Sequence, residues 1–106
     1  MPWIYLLVAG ILEIVWVFAM KQSQGFTRPI PSLVTLVAMI ASFGLLSAAM
    51  RTLPMGTAYM IWTGIGAVGA FAVGVAVLGE EVSVPRLVAA GAIVGGVILM
   101  KLASPG

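Results

Sequence analysis

Cysteine and histidine are both absent from this 106-residue chain. Their absence excludes thiol nucleophiles, disulfide frameworks, imidazole general bases and Cys/His zinc sites together. Charge is nearly as scarce: 8% of the residues are charged, against about 25% in a soluble domain. Five basic side chains and three acidic ones leave a formal charge of +2, too little to neutralise a run of phosphates, so nucleic-acid binding is excluded. No nucleophile–base pair is in reach for catalysis, and neither a metal nor a cofactor is expected. What the chain has in excess is apolar surface, at 62% of its residues against about 45–50% in soluble domains. This is the composition of a small integral membrane protein.

The few charges mark out the topology. They fall at Glu13, Lys21, Arg28, Arg51, Glu80, Glu81, Arg86 and Lys101. Between Arg28 and Arg51 lie 22 uncharged residues, and between Arg51 and Glu80 lie 28. A spanning helix needs about 20. Pro2–Met20 is a third apolar stretch, interrupted only by Glu13. Leu87–Met100 is a fourth, which reaches a membrane thickness once Val84–Arg86 and Lys101–Ala103, whose long side chains can snorkel, are included. Gln22–Pro29, Arg51–Gly56 and Gly79–Ser83 punctuate the runs with turn residues. The expected fold is all-α, one four-helix membrane bundle over residues 1–106, with helices at about 3–20, 32–50, 56–78 and 84–103. A soluble bundle would need polar outer faces, and these helices are apolar all round. Pro2–Met20 lacks the basic start and small-residue cleavage pattern of a signal peptide.

Orientation is poorly specified by charge. With the N-terminus inside, Arg51 and Lys101 fall on one side, and Lys21, Arg28 and Arg86 on the other. The positive-inside rule works through Lys/Arg excess, and two against three is almost none. From counts alone, a single orientation and insertion both ways remain open.

Glu13 is the informative residue. It sits inside the first span, about 10–15 Å from either end, where an ionised acid costs about 2.5–3.5 kcal/mol on insertion scales. Leu would avoid that cost, so the default reading is functional. Burial penalises the charge, and binding a proton or a cation relieves it. Trp16 at i+3 and Gly10 at i−3 share its helix face. On the third span Tyr59 and Trp62 are also i, i+3, and aromatic faces attract a desolvated cation. Ser42 lies near mid-membrane on the second span and could donate to the carboxylate, or bond its own i−4 carbonyl instead. Gly64-Ile65-Gly66-Ala67-Val68-Gly69 matches a dinucleotide-binding fingerprint by letter only, because no strand precedes it. Gly64 and Gly66 read better as a hinge or a close-packing site. Gly91 and Gly95 form a G-x-x-x-G face suited to helix packing within or between subunits.

These residues carry a resemblance. Glu13-x-x-Trp16, Lys21-x-Ser23-x-Gly25-Phe26-Thr27, the twelve residues from Gly56 to Ala67, and Lys101 resemble the small multidrug resistance family of bacterial proton-coupled exporters over essentially the whole chain. They look most like its guanidinium-exporter branch. The resemblance implies an antiparallel, dual-topology homodimer in the bacterial inner membrane. Glu13 would bind proton or substrate, Trp16, Ser42, Tyr59 and Trp62 would shape the pocket and hold Glu13, and Gly64–Gly66 would be a helix-three kink. Met60 departs from the family, where a small Ala is common. The implied partners are protons, a guanidinium-type cation, the bilayer and a second copy of the chain. Rival readings are a broad quaternary-ammonium exporter, a rotor-type proton subunit and a non-transporting assembly subunit. Aromatics beside Glu13 and its place on the first of four spans weigh against the rotor subunit.

Overall fold

A computed structural model describes residues 2–104. They form four helices: α1 Pro2–Gln22, α2 Pro29–Ala49, α3 Met55–Leu78 and α4 Val84–Ala103. Each is long and apolar enough to cross a membrane. At 1.5 Å per residue they measure about 30–36 Å, against a hydrocarbon core of about 30 Å.

The helix ends follow from local chemistry. α2 begins at Pro29, about three residues before the expected start. Proline is harmless in a first turn, where its missing N–H would have no helical partner anyway. The Ser32 hydroxyl also donates back to the Arg28 carbonyl, at 2.5 Å. Between α1 and α2, Ser23 is fully buried and organises the turn. Its hydroxyl donates to the Met20 carbonyl at 2.6 Å and accepts from the Phe26 N–H at 3.1 Å. Its own carbonyl accepts from the Thr27 and Arg28 N–H groups. These bonds hold Gln24, Gly25 and Phe26 at φ of 50°, 76° and 67°, a left-handed run that only Gly adopts without penalty. Gly79, at φ 70°, ends α3, and the Glu80 N–H donates to the Gly74 carbonyl at 3.0 Å. The Ser83 hydroxyl caps α4 by accepting from the Arg86 N–H.

The four expected helices are present, laid out side by side. α1 packs against both α2 and α3, α2 touches α3, and the main neighbour of α4 is α3. The Cα extents are 43 × 34 × 16 Å. Four helices abreast at 8–10 Å spacing are about 30 Å wide and one to two helices thick, so the chain is a layer. The core is small, comprising Leu6, Ala9, Leu46, Ala49, Leu53, Ala58, Ile61 and Trp62. It lies among α1, α2 and α3 and the short turn between the latter two. α4 buries no residue. Its far end is tied to α1 by the Lys101 ammonium, 4.3 Å from the centre of the Trp3 ring. Lipid tails are as apolar as leucine, so the uncovered faces lose nothing in a bilayer.

Candidate functional site

α1 carries Glu13 up against α3. The close approach depends on Gly66. A Cβ there would overlap the Glu13 carboxyl, so the absent side chain of Gly66 is the seat on which the carboxyl rests. The contacts around it have the same character. Gly10 of α1 admits Ile65 of α3, Gly69 admits Ile14, and Gly64 admits Val97 of α4. Both members of the expected hinge pair are thus needed for packing, on opposite flanks of α3. The helix itself runs unbroken from Met55 to Leu78.

Glu13 Oε1 is buried and has no hydrogen-bond partner among the described residues, and the same holds for Trp16 Nε1. An unpaired carboxylate oxygen in a low-dielectric setting is costly and accepts whatever donor or cation reaches it.

Ser42 does not supply that donor. Its hydroxyl donates to the Ala9 carbonyl at 2.7 Å and accepts from Trp62 Nε1 at 3.0 Å. The single hydroxyl proton is spent on α1, one turn before Glu13, and neither the expected bond to the carboxylate nor one to the i−4 carbonyl is made. Ser42 instead joins all three helices and fixes the Trp62 ring, which is 7% exposed. Thr35, on the same side of α2, bonds its own Pro31 carbonyl at 2.8 Å and is closed off from the site.

The aromatic residues form a continuous arc. Trp16 meets Phe43 edge-on with centroids 6.2 Å apart, Phe43 meets Trp62 at 5.7 Å, and Trp62 meets Tyr59 at 5.8 Å. Phe43 is the member that sequence reasoning missed. It follows Ser42 by one residue, about 100° round the helix, and no spacing rule links it to α1 or α3. Tyr59 is 53% exposed and Phe43 47%, so the arc runs from the buried Trp62 out to an open face. On α4, Gly91 and Gly95 are exposed, and a Cβ on either would meet nothing within 4 Å. They pack against nothing within the described chain.

Replacing Ser42 with Ala removes the acceptor for the Trp62 N–H. One unsatisfied buried donor costs about 1–3 kcal/mol, and that loss of stability is the expected outcome in detergent unfolding. In a Trp62→Phe background, which already lacks the N–H, the same substitution should cost clearly less. Equal losses in both backgrounds would show that the bond carries no energy.

The chain has relatives of known name. Residues 1–93 match the family profile described as Small Multidrug Resistance protein. The chain is 56% identical over 104 residues to the guanidinium exporter of Citrobacter freundii, covering 98% of this chain and 99% of that protein. It is 55% identical to the guanidinium exporter of Salmonella typhimurium strain LT2, over 98% and 99% of the two chains. For the guanidinium exporter of Yersinia pseudotuberculosis the identity is 53%, over 98% and 100%.

Proposed function

Since the chain belongs to the Small Multidrug Resistance protein family and is a multi-pass protein of the bacterial inner membrane, we propose that it exports guanidinium and small substituted guanidinium cations in exchange for protons. Glu13 is the group that binds both. One observation carries the reading: a mid-membrane carboxylate with a buried, unpartnered oxygen, seated on a glycine beside an aromatic arc. Guanidinium is planar and presents forked N–H donors, which a carboxylate accepts in bidentate fashion. Aromatic faces add attraction for a cation that has shed its water. Trp16, Tyr59 and Trp62 wall the pocket, and Ser42 supports it by holding Trp62.

The transporting unit is an antiparallel homodimer of copies inserted both ways. In a layer 16 Å thick the Phe43 and Tyr59 end of the aromatic arc is exposed, and a second copy facing it encloses the site. The exposed Gly91 and Gly95 face of α4 suits close packing against that copy. Two Glu13 side chains then share one cavity and titrate as a coupled pair. Protonated or cation-bound, the site loses its buried net charge and can change the side it faces. Ionised and empty, it does not, because the charge would cross hydrocarbon uncompensated. Flexing of α3 at Gly64–Gly66 accommodates the change.

Purified protein in liposomes tests the exchange. A guanidinium gradient is expected to drive protons the opposite way, with tetraethylammonium, which has no N–H donors, a poor substitute. Guanidinium movement with no proton counterflow would remove the antiport, and preference for tetraethylammonium would favour the broad quaternary-ammonium reading.

A further inference from the structure

The seam between α1 and α3 does not end at Glu13. Beyond it, toward the turns that follow α1 and α3, lies a cavity of about 300 Å³ whose lining includes Ile14, Phe18, Lys21, Phe71, Gly74 and Glu80. Its wall begins at the residue after Glu13. Glu80 reaches into it by a device that repeats the one at Glu13. A Cβ on Gly74 would overlap the Glu80 carboxyl, so a second carboxyl, on a residue that is itself exposed, rests on a second buried glycine of the same helix. Gly66 and Gly74 are eight residues apart, about 12 Å along α3. The backbone aims Glu80 there: Gly79 turns through the left-handed region, and the Glu80 N–H is tied to the Gly74 carbonyl. Phe18 and Phe71 also line the cavity, and an aromatic face attracts a cation. Lys21 is the opposing charge on the same wall, and it competes with any cation for the carboxylate.

We propose that this cavity is a second cation site, in which Glu80 and the rings of Phe18 and Phe71 hold a guanidinium-type cation on its way to or from Glu13, with Lys21 setting how weakly it is held. Weak holding suits the role, because a tight outer site would trap the ion. The proposal rests on the guanidinium-export reading for its transport consequence, but binding at Glu80 can be measured separately.

Three acidic side chains are present in all, so Glu13→Gln leaves Glu80 and Glu81 as the only side-chain carboxylates. In that variant, carbon-13 NMR of the glutamate carboxyls during a guanidinium titration should show one saturable shift at millimolar concentration. Glu80→Gln should abolish that shift, and Lys21→Met should move it to lower concentration. With Glu13 intact, Glu80→Gln should raise the KM for guanidinium-driven proton flux by about tenfold, as expected for loss of one charged contact of modest strength. kcat should hold within about twofold, and Glu80→Asp should restore most of the KM. Equal, non-saturating shifts of both glutamates, or an unchanged KM, would overturn the second site and leave export through Glu13 standing. Saturable binding at Glu80 in a protein that moves no guanidinium would uphold the site and overturn the export reading.

Discussion

Glu13→Gln is expected to abolish guanidinium-driven proton movement while leaving the chain folded and inserted. The amide keeps the shape of the carboxyl, so Gly66 still seats it, and a neutral group is better tolerated in hydrocarbon than an ionised one. What is lost is the acceptor. Hydrogen bonds to a charged group contribute about 1.5–3 kcal/mol each. A bidentate pair is therefore worth roughly two to four decades of affinity. The proton is lost with it, since an amide does not titrate. Guanidinium added to lightly buffered, detergent-solubilised protein should release protons from the parent and none from the variant. Release of equal size from both would take the exchange away from Glu13. Parent and variant that fold and insert alike, with no guanidinium-driven proton movement in either, would point to the non-transporting assembly-subunit reading instead.

Shifting the orientation of the chain should have an effect of similar size without touching the site. Lys and Arg number two on one side and three on the other, so a small addition tips the balance. Two extra lysines after Lys101 should fix most copies with that end inside, and two extra in the turn at residues 23–28 should fix the reverse. If the working unit needs both orientations, each variant alone should transport at no more than background while remaining inserted. Co-expression should restore activity, because each variant supplies the orientation the other lacks. Labelling of single cysteines from either side of the membrane reports orientation. The chain has no cysteine of its own to interfere. Full transport by a variant shown to insert in one direction only would rule out the antiparallel dimer.

The sequence by itself determined the four spans and singled out Glu13. Both are properties of a line of residues: the length of an uncharged run against the thickness of a bilayer, and a charge where none is tolerated cheaply. The helices found at Pro2–Gln22, Pro29–Ala49, Met55–Leu78 and Val84–Ala103 follow from those runs, with α2 starting earlier because proline suits a first turn. The tertiary structure decided what touches what. It laid the four helices out as a layer, because the main neighbour of α4 is α3. It gave the Ser42 proton to Ala9 and brought Phe43 between Trp16 and Trp62. It made Gly66 and Gly74 the seats of two carboxyls, those of Glu13 and Glu80. Helical spacing tells which residues share a face, but which faces meet, and at what height, is set by the crossing of packed helices. A hydroxyl with one proton, or a glycine with no side chain, acquires its role only at that crossing.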